Sequence, residues 1–387
     1  MNTRLTICSI SFLFVSLQGF YFTSIGLSPF AVIGAIFIFA CYLILQATSR
    51  GYTLDIASYK PFLVYMILFA SSAICIFAYQ DNLDVKRLVG FIMVILLAFT
   101  APRVFSSDSI EISLKLLLTV HVVYFYIQFI SYYAFGMDVD LILAVTGTAQ
   151  KGWGGSFSLD SLGNLRRLGG LFNEPGTYAT FIAPALSIFC CYYSKSRFNQ
   201  YLIYACLASL VLTFSTFALI FSSIIALTLA ISIRGKALVY VGAFYGCGLV
   251  TVLPYFLYRF FERSQYGIDT GTEIRSYFVN LVFEFLTSGL KEFLLGAGQL
   301  ITDYTSKASI IWALNDSSLF LSLVFTSGPI LTLVIFSILV IAALKKGVFN
   351  ALAVIIIFLS KASLFWIYTP VILVVLYKAQ PQAQKTQ

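Results

Sequence analysis

Residues 29–47 read PFAVIGAIFIFACYLILQA, and residues 61–79 read PFLVYMILFASSAICIFAY; neither run contains a charged side chain. A hydrocarbon core about 30 Å thick is crossed by roughly 17–25 consecutive, mostly apolar residues in a helix. Each run therefore has the length and composition of a membrane span. The same pattern recurs along the chain, near 5–22, 88–105, 116–135, 176–193, 201–215, 217–233, 238–257, 318–343, 348–360 and 363–377, which predicts about twelve transmembrane helices in one polytopic all-α domain, 1–387. The stretch 201–233 is interrupted only by Ser215-Thr216 and the last pair only by Lys361, so both read as tight hairpins.

Composition agrees. The 387 residues are 60% hydrophobic and only 10% charged, with a mean hydropathy of +0.93, where a soluble domain carries about 25% charged residues. A soluble domain is excluded on that balance. The 38 Phe and 24 Tyr exclude a disordered chain, which lacks the apolar surface to offset ordering entropy. The start at Met1–Arg4 reads as the first helix, since no small-residue cleavage site follows Leu17-Gln18-Gly19-Phe20 and further spans come directly.

Motif chemistry narrows the function by exclusion. Cys8, Cys41, Cys75, Cys190, Cys191, Cys206 and Cys247 all fall in apolar runs without CxxC spacing, and His121 is the lone histidine. Neither a disulfide nor a metal site is expected. With no GxxxxGK[ST] loop and no strand-flanked GxGxxG, no nucleotide site is expected either, so no cofactor is predicted.

Lys and Arg set the expected orientation. With the N-terminus inside, the short loops hold Arg4, Arg50, Lys60, Arg103, Lys115, Lys195, Arg197, Arg234, Lys236, Lys345, Lys346, Lys378 and Lys385 against Asp55, Asp108 and Glu111. The other side is near neutral. Both termini are therefore expected in the cytoplasm. Two outward segments are long, 136–175 and 258–317, and their aromatic and aliphatic content argues for folded caps with short interfacial helices.

The first long loop ends in RRLGGLFNEPGTYAT, residues 166–180. Gly152, Gly154, Gly155, Gly163, Gly169 and Gly170 allow an irregular backbone close to a ligand. Arg166 and Arg167 place two guanidinium forks ahead of Glu174, and Pro175 suits the first turn of a helix. Glu174 then either caps that helix or serves as a functional carboxylate, and the arginines bind either a ligand or lipid phosphates. In the second loop, Ile274, Phe278, Leu281, Val282 and Phe285 recur at helical spacing, with Thr270 and Glu273 at capping-box spacing. Arg259, Arg263 and Arg275 add guanidinium groups at the outer interface. Asn315-Asp316-Ser317-Ser318 precedes a span, either as a polar cap or as part of a site. Only His121 and Lys361 bring ionisable groups near the membrane interior; ion carriers normally place several there.

The segment from Arg167 to Pro175 resembles the Arg-x-x-Gly-x-x-x-Glu-Pro signature at the start of a span in bacterial O-antigen and capsule polymerases of the Wzy type. Gly296 and Gly298, Asn315-Asp316, and Gly328-Pro329 follow in a similar order, and the resemblance covers about Leu116 to Leu344. It implies an integral inner-membrane glycosyltransferase, independent of metal and nucleotide, that joins oligosaccharide repeats carried on undecaprenyl pyrophosphate for lipopolysaccharide or related polysaccharide biosynthesis. The lipid-linked oligosaccharide is then donor and acceptor, membrane lipids and a chain-length regulator protein are the further partners, and no nucleic acid is bound. On this reading Glu174 and Asp316 are the catalytic candidates, and Arg166, Arg167, Arg259, Arg263, Arg275 and Asn315 bind substrate. O-antigen ligases share the architecture but look to a histidine in the second long loop, which this chain lacks. The rival from another class is a lipid-linked oligosaccharide flippase or other transporter.

Overall fold

The computed structural model describes residues 3–17, 20, 28–48, 59–79, 83–150, 166–232, 242, 246, 270–300 and 317–379. Within them every multi-residue element is helical. The first five helices are α1 (Thr3–Ser16), α2 (Pro29–Thr48), α3 (Lys60–Tyr79), α4 (Val85–Val104) and α5 (Ser107–Phe135). Next come α6 (Leu141–Thr146), α7 (Pro175–Phe189), a 3-10 turn (Cys190–Lys195), α8 (Arg197–Leu212) and α9 (Thr216–Ser232). The last six are α10 (Thr270–Thr287), α11 (Leu290–Leu295), α12 (Leu319–Ser327), α13 (Pro329–Leu344), α14 (Val348–Leu359) and α15 (Tyr368–Lys378).

Four helices are long and apolar enough to cross a membrane: Pro29–Ala47, Lys60–Tyr79, Val85–Val104 and Ser109–Phe135. Shorter apolar helices, α9, α13, α14 and α15 among them, accompany these, so the chain has the helices of a multi-pass membrane protein. Among the described residues, the twelve segments expected from hydropathy do not all form continuous helices of membrane length. Segment 238–257 lies outside them, apart from Gly242 and Gly246. Segment 176–193 tightens into 3-10 geometry at Cys190, and Pro184 interrupts its hydrogen-bond ladder. Segment 318–343 is two helices broken at Gly328, and 363–377 is helical only from Tyr368. The twelve residues of α14 extend about 18 Å at 1.5 Å per residue, well short of a bilayer core. Hydropathy counts apolar residues but cannot see a Gly-Pro break or a buried turn.

Both expected hairpins form. Between α8 and α9 the chain reverses at Thr213–Ser215, where Phe214 takes φ 52°. Between α14 and α15 it reverses through residues 360–367, and Asn350 Nδ2 near the start of α14 donates to Leu376 O and Ala379 O at the end of α15, at 3.1 and 3.3 Å.

The centre is built from α7, α14 and α15, which are buried over most of their residues. Ser187 Oγ donates to Phe349 O at 2.8 Å and Tyr368 OH to Phe181 O at 2.8 Å, so these helices are tied by polar contacts as well as by packing. Outer helices point apolar side chains outward: Ile36 is 58% exposed and Phe77 83%. Such a surface would be costly in water and is ordinary in hydrocarbon, where helices satisfy their own backbone groups. At Gly34, α1 and α2 approach closely, and an added Cβ would lie 2.8 Å from Ser11 O and from Val15 N. His121 is a contact between helices, 2.8 Å from Ser16 Oγ and stacked on Phe172.

Polar contacts tie the connecting segments into two groups. One joins Lys195 and Asn199 to Glu111 (Lys195 Nζ to Glu111 Oε2, 2.6 Å). The other joins the start of α4, residues 296–300, the break at Gly328, the 360–367 turn and residues 166–176.

Candidate functional site

The segment Leu168–Glu174 is irregular, in a conformation that its two glycines permit and that a residue with a Cβ would not. Gly170 has φ 60°, and a Cβ at Gly169 would fall 2.6 Å from Phe172 O. Buried backbone groups in such a turn must be satisfied. Two buried glutamines do this. Gln128 Oε1 accepts from Gly170 N at 3.0 Å, and Gln150 Nε2 donates to Gly170 O (2.6 Å) and Phe172 O (2.9 Å). Gln128 Nε2 donates to Gln150 Oε1 at 2.9 Å, closing the set. Leu168 and Phe172 anchor the segment in the core.

Pro175 then starts α7, and Tyr178 N donates to Glu174 O at 3.1 Å. Glu174 is the N-cap residue by backbone (φ −150°, ψ 153°), but its side chain makes no capping hydrogen bond. Instead Oε1 accepts from Thr177 Oγ1 at 3.3 Å and lies 3.7 Å from Lys361 Nζ. The Lys361 side chain is 9% exposed and that of Glu174 27%. Removing a buried charge's partner is expensive, so this pair couples the first turn of α7 to the turn between α14 and α15.

The arginines are held elsewhere on the same segment. Arg166 forms an ion pair with Asp138 and stacks over Tyr132, with Cζ 5.0 Å from the ring centroid; its backbone N donates to Tyr133 OH at 3.0 Å. Arg167 donates through Nε to Phe214 O at 3.1 Å, in the α8–α9 turn. Asp138 follows α5, and Asp140 Oδ1 caps α6 by accepting from Leu143 N at 2.9 Å.

The second long loop contributes α10, matching the expected amphipathic helix, and α11. The first of these and the segment after α11 pack on α12 through Val282, Ala297 and Phe325, a small cluster apart from the main core. The Gly296–Gly298 segment docks on the α12–α13 break: Ala297 N donates to Phe325 O and Gly298 N to Thr326 O, both at 2.8 Å. These bonds satisfy carbonyls that the broken helix leaves open. Tyr79 OH donates to Gly296 O at 2.9 Å, and Gln299 Nε2 to Thr326 Oγ1 at 2.6 Å.

Asn315, Asp316, Arg259 and Arg263 lie outside the described residues. Arg275 has its backbone in α10. The cap of α12 is Ser318, whose Oγ accepts from Leu321 N at 3.2 Å, which removes the need for Asn315-Asp316 to cap that helix. Leu319 N donates to Ser360 O at 2.8 Å, so the start of α12 lies against the turn that carries Lys361.

Lys361, Thr177, Gln128 and Gln150 are not among the site residues that motif and spacing single out. Lys361 has a signal: it is the lone charged residue between Lys346 and Lys378, and an ionisable residue in an apolar run implies a partner. The glutamines have none. No family model, no curated protein and no solved structure matches the chain.

Proposed function

We propose that the chain is a bacterial inner-membrane glycosyltransferase of the Wzy-polymerase kind, with about twelve membrane crossings and both termini in the cytoplasm. It joins oligosaccharide repeats carried on undecaprenyl pyrophosphate at the outward face. The observation that supports this best is the carboxylate of Glu174, presented at the start of a buried helix on the segment that also carries Arg166 and Arg167.

The reaction forms one bond and breaks one. An acceptor hydroxyl oxygen attacks the anomeric carbon of the donor sugar, the bond from that carbon to the phosphate oxygen breaks, and the electron pair leaves with the pyrophosphate. The hydroxyl proton passes to Glu174, since an alcohol with a pKa far above 7 needs a positioned base. Guanidinium groups neutralise the leaving pyrophosphate bidentately. The cleaved donor linkage supplies the driving force. Asp316 is the second candidate base; Arg259, Arg263, Arg275 and Asn315 are further contacts for the anionic carrier and its glycan.

The glycan ladder of a deletion strain tests this reading. Single repeats accumulating on the carrier lipid or on lipid A core are the expected result. Finished polymer stranded on its carrier would mean a ligase, and repeats trapped on the cytoplasmic leaflet would mean a flippase. A second prediction concerns the arginines. Arg166→Lys and Arg167→Lys keep the charge but lose the planar fork, so neither restores full polymer length. Full-length polymer from the Arg→Ala variants at normal protein level would reduce both arginines to structural anchors for Asp138 and Phe214 O.

A further inference from the structure

Two tethers converge on one oxygen of Glu174. Thr177 Oγ1 approaches Oε1 at 3.3 Å and Lys361 Nζ at 3.7 Å, and among the described residues no hydrogen bond falls on Oε2. Lys361 lies across the first turn of α7, where a Cβ at Gly176 would come 3.9 Å from its Cε. The turn that carries it is fastened on several sides. Leu319 N donates to Ser360 O (2.8 Å), Tyr65 OH to Leu364 O (3.1 Å), and Trp366 stacks on Phe181 with centroids 5.2 Å apart. The ammonium is thus delivered to Oε1 by a rigid frame.

This cation is ill placed to serve the leaving group. In an in-line displacement the pyrophosphate departs from the face of the anomeric carbon opposite the attacking hydroxyl, and a charge 3.7 Å from the base stands on the attacking side. We infer that Lys361 and Thr177 are positioning residues that clamp Oε1 of Glu174, so that Oε2 is the atom that takes the acceptor proton. The inference rests on the reading of Glu174 as the base.

Coupling of a synthetic undecaprenyl-pyrophosphate-linked repeat, in membranes from a strain lacking its own copy of the protein, gives turnover per folded molecule and KM. Misplacing a catalytic group by about 1 Å costs on the order of 100-fold. Lys361→Met is expected to lower turnover by about that factor with KM for the repeat unchanged, and Lys361→Arg to recover most of the loss. Thr177→Val, which leaves the charge pair in place, is expected to lower turnover several-fold at normal abundance. Wild-type turnover per molecule in Lys361→Met, whatever its abundance, would make the pair purely structural and overturn the clamp. If Lys361→Met does not accumulate, wild-type turnover in Thr177→Val overturns it instead. Glu174→Gln separates the two levels of failure. An inactive Glu174→Gln beside a fully active Lys361→Met removes only the clamp, whereas a fully active Glu174→Gln removes the base itself.

Discussion

Glu174→Gln is expected to lower repeat coupling per folded molecule by about two to four orders of magnitude, the usual worth of a positioned base, with a smaller loss of membrane abundance because buried Lys361 loses its charged partner. The structure sharpens this separation. A carboxylate that capped α7 would cost about 1 kcal/mol on removal, but the Glu174 side chain makes no capping hydrogen bond, and Tyr178 N is satisfied by its backbone carbonyl. Gln also retains an oxygen for Thr177 and Lys361 to approach. Membrane abundance and ladder length measured on the same strain decide the matter. Normal ladders from Glu174→Gln with short ones from Asp316→Asn would move the base to Asp316; normal ladders from both would place the chemistry elsewhere.

The second large effect is expected at Gly328, and it is one of folding rather than chemistry. Gly328 has φ 78°, and a Cβ there would fall 2.6 Å from Leu294 O and 2.9 Å from Leu294 C. Across the junction, a Cβ at Gly296 would meet Gly328 N at 2.5 Å. The two glycines are interlocked backbone to backbone, so no side-chain rotation relieves the clash. Strain at a left-handed position costs about 1–3 kcal/mol and overpacking a similar amount. Gly328→Ala should therefore cost about 2–6 kcal/mol, a large share of the roughly 5–15 kcal/mol that holds a typical protein folded. In a detergent melt its midpoint should fall well below that of Gly90→Ala, whose Cβ would meet only Phe365 Cδ1, at 3.8 Å. Equal midpoints would mean that the loop does not dock on the helix break as described.

That junction also shows how reading and structure divide. Gly296, Gly298 and Gly328-Pro329 are visible in the sequence as separate motifs far apart along the chain. Nothing in their spacing says that one pair satisfies the carbonyls that the other leaves open, because a contact between distant backbone segments has no period in sequence. By hydropathy, segment 318–343 reads as one span for the same reason. The boundaries of α2 and α3, by contrast, are legible almost to the residue, since each is an uncharged run bounded by polar residues.

The site divides in the same way. Part of it is local: a glycine-rich turn, then Glu174, then Pro175 at the start of a helix, all of which the structure contains. The partner of Glu174 is not local. Lys361 lies far along the chain, and only the antiparallel packing of α7 against α14 brings the turn at 360–367 over the first turn of α7.

By itself, then, the sequence determined what is written in composition and short-range pattern: an all-helical chain with helices of membrane length, two hairpins, an amphipathic helix in the second long loop, and a carboxylate at the start of α7. Those features follow from the solvation of each segment and from the conformations its own residues permit. The tertiary structure alone decided that Glu174 points to Lys361 rather than capping its helix, that Gln128 and Gln150 hold the turn before it, and that Gly296 locks the break at Gly328. Each of these depends on which distant groups share a water-poor interior, where an unpaired charge or backbone group is costly enough to select its partner.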